Sequence, residues 1–174
     1  MFDKIPVIAF VLYAISLALP GVSFIDHNGH EGSVYGYFIL LFGWFAMSQW
    51  SFAWFGNPLF LFSLFRSRHE RPGIVLLTSL LALSFGVTGF LLEKVPHLDA
   101  PESTVTYFGL GYYLWLLSLA LLVLYAFMRY RGRSKSETTA TGAFDLRQTI
   151  THNTQAIVGL VVLLGMLVWI LIVL

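Results

Sequence analysis

Cysteine is absent from this 174-residue sequence, and charge is scarce. Without cysteine there are no disulfides, thiolate nucleophiles, Cys-ligated metals or iron–sulfur clusters. Charged residues make up 11% of the chain, against about 25% in soluble domains. Ten Lys and Arg with nine Asp and Glu are too few to coat a water-facing surface. These shortages exclude a soluble enzyme, a disordered chain and a nucleic-acid binder.

Apolar side chains take the place of charge. The chain is 57% hydrophobic and 17% aromatic, and its mean hydropathy is +0.78. A helix needs about 20 apolar residues to cross a hydrocarbon core about 30 Å thick. Windows of that length or longer, free of Asp, Glu, Lys, Arg and His, are 5–25, 35–65, 73–92, 107–128 and 155–174. We therefore predict an all-α integral membrane protein with five transmembrane helices.

Basic residues alternate between the loops in a way that predicts orientation. They lie at Lys4, in the loop 66–71 and in the segment 129–147, whereas Lys94 is the single basic residue of the other loops. Because cytoplasmic loops are enriched in Lys and Arg, the N-terminus is predicted to be cytoplasmic. With five spans, the C-terminus is then predicted to lie on the outer face.

The segments divide the chain into three predicted parts. These are a four-helix transmembrane core over 1–130, a polar cytoplasmic linker over 131–154 and a C-terminal transmembrane helix over 155–174. Segments 53–59 and 111–115 resemble parts of bacterial inner-membrane proteins of no assigned activity. That resemblance implies a bacterial inner membrane and assigns a role to no residue.

The second window is too long for one straight span. Its 31 residues would make a helix of about 46 Å, and it contains Gly56-Asn57-Pro58. Because proline lacks an N–H and disfavours helix at the preceding residue, we predict a helix over 35–55 and a break at Gly56-Asn57. A short helix would then begin at Pro58, capped by Asn57, and run to about residue 65. Such a break is either a structural kink or, as in transporters, a backbone site for ions or substrates.

Small residues recur at i, i+3, i+7 and i+10 in the second and third windows. They are Ala46, Gln49, Ala53 and Gly56 in the second, and Ser79, Ala82, Gly86 and Gly89 in the third. Small residues let membrane helices approach closely, and a buried amide finds a partner across the interface. We predict that the two faces pack together. Gln49 would be an interhelical hydrogen bonder or, alternatively, a ligand-recognition residue.

Aromatic residues cluster in two places. Trp50 and Trp54 share one face of the second window, and the residues 107–115 include three Tyr and one Trp. Tyr and Trp concentrate at membrane interfaces, which accounts for the second cluster. The alternative is an aromatic-lined cleft for a lipid tail or a quinone.

Ionisable groups are absent from all five windows apart from tyrosine. Intramembrane acids, His and Arg mark proton relays and ion paths, so we expect neither a proton-coupled transporter nor a haem-ligating subunit. The outer loops hold His27, His30 and His97 beside carboxylates. These imidazoles are weak candidates for a divalent metal site. No metal or other cofactor is predicted.

The basic segment after the fourth window contains Arg129, Arg131 and Arg133. These residues are predicted to anchor the helix at the cytoplasmic face or to bind anionic lipid headgroups.

The pattern favours a protein that acts without catalytic residues, by binding another membrane component. It would be an accessory subunit or an immunity-type protein, in contact with lipids and with a second protein or its own copies. One alternative is a transporter or channel component for a neutral or lipidic solute, built around the Asn57-Pro58 break. Another is an outer-face enzyme that handles a lipid or quinone.

Overall fold

A computed structural model describes residues 4–26, 28–49, 51–67, 72–95 and 103–140, except the side chains of 47–49 and 134–140. The helices are α1 (Ile5–Leu17), α2 (Gly36–Phe42), α3 (Gly56–Arg66), α4 (Pro72–Val87) and α5 (Leu110–Ala140). The strands are β1 (Pro20–Ile25), β2 (Glu31–Tyr35), β3 (Lys94–Val95) and β4 (Ser103–Phe108). Three 3₁₀ segments cover Gly43–Gln49, Ala53–Phe55 and Thr88–Leu91.

A four-stranded antiparallel sheet contradicts the all-α prediction. Its strand order is β2-β1-β4-β3, so the two loops that were predicted to lie on the outer face meet at the β1–β4 pair. The window 5–25 is not one span, because α1 ends at Leu17 and β1 begins at Pro20. Proline fixes a backbone angle that suits a strand start, and it cannot donate the next helical hydrogen bond. The fold is therefore mostly helical with a sheet over one end.

The helices pack around α5, which contacts α1 and α4, while α3 lies against α4. The end of α1 meets the start of α5, where a Cβ at Gly111 would lie 2.8 Å from the Leu19 carbonyl oxygen. Buried residues of α5 recur every three or four positions, which is the period of one helix face. They are Tyr112, Trp115, Leu119, Leu122 and Tyr125.

Among the described residues, two helical stretches are long and apolar enough to cross a membrane, Pro72–Leu91 and Leu110–Arg133. The apolar helices Ile5–Leu17 and Gly36–Ala46 are shorter. The five-span topology is therefore not supported. The predicted span 155–174 lies outside the described residues. The helix α5 extends to Ala140, well into the segment 131–154 that was predicted to be a linker.

The second window breaks earlier than predicted. Only Gly36–Phe42 is α-helical before the 3₁₀ segment Gly43–Gln49, so the predicted helix over 35–55 is wrong. The Ser51 N–H bonds to the carbonyl of Ala46, five residues back, and the Phe52 N–H bonds to the Thr88 hydroxyl at 3.2 Å. These partners interrupt the α-helical ladder. The next α-helix begins at Gly56 and includes Pro58 in its first turn, where a missing N–H costs no hydrogen bond.

Candidate ligand-binding cavity

Asn57 is the centre of the hydrogen-bonded interior. Its side chain is 5% exposed, and its Oδ1 accepts bonds from Tyr13 Oη at 3.2 Å and Trp115 Nε1 at 3.0 Å. Its Nδ2 donates to the Trp54 carbonyl oxygen at 3.2 Å. One amide therefore ties α1, α3, α5 and the 3₁₀ segment Ala53–Phe55 together. It was predicted to cap α3, but the cap residue is Phe55 and it forms no side-chain cap bond.

The chemistry of the partners fixes the orientation of this amide. An indole N–H can only donate and a carbonyl oxygen can only accept, so Oδ1 faces Trp115 and Nδ2 faces Trp54. Two donors on Oδ1 use both of its lone pairs. Nδ2 carries two hydrogens, and in the described part of the chain only the bond to Trp54 is formed.

Other side chains satisfy carbonyl groups near the break and at the end of α4. Trp54 Nε1 donates to the Leu40 carbonyl at 2.8 Å, and Tyr112 Oη donates to the Gly86 carbonyl at 2.7 Å. Thr88 Oγ1 donates to the Phe85 carbonyl at 2.7 Å. Backbone groups freed by irregular structure are paired in this way inside membrane proteins. Of these three contacts, the bond from Trp54 to Leu40 pairs a carbonyl group of the second window.

A cavity of about 660 Å³ lies between this network and the sheet. Its wall is formed by the end of α1, strands β1 and β2, α2 with the following 3₁₀ segments, and the start of α5. The lining is mostly apolar and includes the aromatic residues Phe38, Phe42, Trp54, Phe108, Tyr112 and Trp115. Within the described residues, the lining contains no Asp, Glu, Lys, Arg or His. Its size falls within the range of small-molecule sites, about 300–1,000 Å³.

Ser51 is a polar residue of the lining whose hydroxyl has no hydrogen-bond partner among the described residues. It is 2% exposed and lines the cavity. Its backbone N–H bonds to Ala46, yet its hydroxyl forms no hydrogen bond with any residue that the structure describes. Ser16, another buried serine of the lining, differs because its Oγ donates to the Tyr13 carbonyl at 2.6 Å. Buried polar groups are nearly always paired, so the Ser51 hydroxyl requires a partner of another kind.

The predicted glycines lie where helices approach closely. A Cβ at Gly56 would be 3.0 Å from Trp115 Cζ2 and 3.1 Å from the Ala82 carbonyl oxygen. At Gly86 it would be 2.8 Å from Leu119 Cδ1, and at Gly89 2.5 Å from Tyr112 Oη. Gly56 thus meets both α5 and α4, whereas Gly86 and Gly89 meet α5. Gln49 ends a 3₁₀ segment, and its side chain lies outside the described part.

Of the three histidines predicted as metal-ligand candidates, His30 is described. Its Nδ1 lies in the β1–β2 turn, 3.4 Å from Asp26 Oδ2, and His27 and His97 lie outside the described residues. Asp26 Oδ1 accepts bonds from the backbone N–H groups of His30 and Asn28, both at 2.8 Å. These bonds hold the pKa of Asp26 below its ordinary value. Among the described residues, no three His, Asp or Glu are placed to hold a metal ion.

The basic residues lie at the end of the helices away from the sheet. The Arg129 guanidinium donates to the Ser67 carbonyl, which joins α5 to the end of α3, and it lies 5.9 Å from the Tyr125 ring. Arg131 and Arg133, about half a turn and one turn further along α5, are exposed. Arg131 lies 5.5 Å from the ring of Phe127.

Tyr13 and Ser51 were not among the predicted site residues, and Tyr112 and Trp115 were predicted to lie at a membrane interface. Tyr107 and Tyr113 are exposed, as that assignment implies, but Tyr112 and Trp115 are buried. Their spacing with Leu119 and Leu122 is the signal that could have separated them. Tyr13 stands at helical spacing from Ala9 and Ser16, which are small like the residues of the other packing stripes. Ser51 carried no local signal.

Comparison with protein-family models, with curated proteins and with solved structures finds no match.

Proposed function

We propose that this is a multi-pass membrane protein that acts without catalysis, by binding another membrane component. Its distribution of side chains supports a lipid environment. Large apolar residues are exposed along α1, α2 and α5, such as Phe10, Leu41 and Leu117, while serines such as Ser63 and Ser118 are fully buried. Water-soluble proteins rarely expose contiguous apolar patches above a few hundred Å². Membrane helices instead pack through small residues and face lipid with large ones.

In the proposed topology, four segments cross the membrane between the sheet, which lies outside, and the basic end, which lies in the cytoplasm. The segments are α1, the broken segment from α2 to α3, α4 with its 3₁₀ extension, and α5. A segment with a short helix is compatible with spanning where the adjacent strand or 3₁₀ segment extends it. The helix ends carrying Arg66 and Arg129 would lie in the cytoplasm by the positive-inside rule, in a bacterial inner membrane. The fifth span, 155–174, stays a prediction.

The component that the geometry favours is a lipidic small molecule held in the cavity. The single observation that carries this is a space of about 660 Å³ beside the Asn57 network with a mostly apolar lining, in which the described residues include no Asp, Glu, Lys, Arg or His. Apolar walls with few polar groups are characteristic of small-molecule sites. Tyr112 is the only titratable residue of that lining within the described chain, and its hydroxyl is bonded to Gly86. This supports binding rather than acid–base catalysis.

Mass spectrometry of organic extracts from the purified full-length protein tests the proposal. The wild type should release a neutral lipidic compound in a stoichiometric amount. Val34→Trp on β2 would fill part of the cavity, and aromatic residues suit strands, so this variant should release much less. Thr106→Trp, an exposed position on β4 that is not part of the lining, is the matched control and should behave like the wild type. Equal release from all three proteins would contradict the proposal.

The basic end supports a second, weaker contact with the membrane. Arg131 and Arg133 are exposed and would lie at the depth of the lipid headgroups. Binding of anionic lipids there would be worth about 1 kcal/mol for each basic residue. Arg131→Gln with Arg133→Gln is the variant to compare, because both residues are exposed whereas Arg129 is partly buried. Its sedimentation with anionic vesicles, against neutral vesicles, should fall relative to the wild type.

A further inference from the structure

We propose that the cavity recognises a neutral hydrogen-bond acceptor, such as the carbonyl of an ester or a ketone on an apolar chain, through the Ser51 hydroxyl. This rests on the proposed function, because it assigns a chemical class to the ligand of the same cavity. Three properties of the cavity lining define the ligand: which polar groups are already bonded, which are not, and what charge is present.

Most donors of the lining are committed within the protein. Trp54 donates to Leu40, Trp115 donates to Asn57, and Tyr112 donates to Gly86. The Ser16 hydroxyl donates to the Tyr13 carbonyl. Two donors remain without a partner in the described part of the chain, the Ser51 hydroxyl and one hydrogen of Asn57 Nδ2. Both residues line the same cavity.

The remaining groups define the complementary ligand. The Asn57 hydrogen can only donate, and the hydroxyl of Ser51 can donate or accept. Both are therefore satisfied by a carbonyl oxygen. An ionised headgroup would lose its hydration without an opposite charge in the described lining, and such burial is very costly. A neutral carbonyl on an apolar chain loses little on entering and pairs the buried hydroxyl.

Cavity tryptophans provide a readout of binding. The sequence has five Trp, and Trp54 and Trp115 line the cavity. Replacing Trp44, Trp50 and Trp169 by Phe in the full chain leaves only these two. Bromine atoms quench tryptophan fluorescence on contact, so brominated probes report occupancy. Two probes differ only in the acceptor: methyl 9,10-dibromostearate, an ester, and 9,10-dibromooctadecane, an alkane of the same chain length.

The ester is expected to saturate quenching at a concentration about two- to ten-fold lower than the alkane, which is the effect of one neutral hydrogen bond. In Ser51→Ala this preference should disappear, while alkane binding is unchanged or slightly stronger. Ser79→Ala is the matched control, because Ser79 is equally buried but bonds to the Leu76 carbonyl and is not part of the lining. It should keep the preference. Thermal unfolding confirms that both variants fold.

Two other results would overturn the inference. If both probes quench the wild type equally, the cavity takes apolar chains and the hydroxyl is paired by water, so the acceptor assignment fails while the proposed function stands. If Ser51→Ala keeps the preference for the ester, another group recognises the carbonyl. Saturable quenching by neither probe would instead contradict the proposed function itself.

Discussion

At the residue scale, a single amide organises the interior. Asn57 accepts from Tyr13 and Trp115 and donates to Trp54, so it joins segments far apart in the sequence. Interhelical hydrogen bonds are a main source of specificity in membranes, where apolar side chains gain little by leaving lipid. The aromatic partners also pack, since the rings of Tyr13 and Phe60 stack with centroids 4.9 Å apart.

Replacing Asn57 by alanine should destabilise the fold. Two buried donors, Tyr13 Oη and Trp115 Nε1, would lose their acceptor, and each unpaired donor costs about 1–3 kcal/mol. We expect the free energy of unfolding in detergent to fall by about 2–4 kcal/mol. The same change at Asn28, an exposed turn residue, should alter it little. Equal effects at the two positions would contradict the role given to Asn57.

Acid should weaken the β1–β2 turn through Asp26. Its pKa is held below the ordinary 3.8, chiefly by the His30 backbone N–H, so the folded state binds the proton less well than the unfolded state. The stabilisation is therefore complete above the ordinary pKa and is lost as the pH falls through the lowered one. Proteolysis of the turn should increase in that acid range in the wild type. Asp26→Asn should show no such acid dependence, and a parallel increase in both proteins would refute the assignment.

At the scale of elements, glycines set the distance between the helices. The start of α5 lies close to the 3₁₀ extension of α4 because Gly89 has no Cβ, and Tyr112 occupies that space while bonding to the Gly86 carbonyl. The small-residue stripe of the third window was visible in the sequence. The packing of its glycines against α5 could not be predicted, because the stripe of the second window was derived for one continuous helix.

Gly89→Ala should therefore be destabilising. The new Cβ would lie 2.5 Å from Tyr112 Oη, and overpacking of this kind costs about 1–3 kcal/mol. Gly132→Ala is the control, since no heavy atom of the described residues lies within 4 Å of a Cβ built there and alanine favours helix. Unfolding should show a lower stability for the first variant and an unchanged or higher stability for the second. Similar stabilities would contradict close packing at Gly89.

The apolar pattern of the sequence predicts the helices better than it predicts the strands. Apolar windows correctly located most of the described helical residues, because these helices consist of long, uninterrupted apolar runs. The sheet was missed because β3 and most of β2 and β4 lie between the apolar windows, and strands that pair with distant partners have no local signature. Pro20-Gly21 and Asn28-Gly29 were the overlooked signs of a helix end and a hairpin turn. Ser51 owes its place in the cavity to the break in the second window, which depends on Thr88 of another segment.

At the scale of the whole molecule, the two ends differ in chemistry. The sheet closes one end, and Arg66, Arg129, Arg131 and Arg133 lie towards the other. Between them the outward faces are apolar and the buried face holds small hydroxyl-bearing residues. This arrangement accounts for the low charge content without requiring a charged path through the protein.

Single cysteines can locate the two ends, because the native chain has none. Thr104→Cys on the exposed face of β4 should react with a membrane-impermeant maleimide in intact cells whose outer membrane is permeabilised. Gly132→Cys at the basic end of α5 should react only after the inner membrane is opened. Both positions are exposed, so burial does not explain a difference. Labelling of both in intact cells, or the reverse order, would contradict the proposed topology.

Native mass spectrometry of the protein, released gently from its own membrane, distinguishes a bound small molecule from a bound protein. We expect a lone chain or a homo-oligomer that carries one small neutral molecule for each chain and loses it on mild activation. A stoichiometric second protein, with no small molecule bound, would contradict the proposed function. In that case the protein would be an accessory or immunity-type subunit, and its exposed apolar faces would be the surfaces to study.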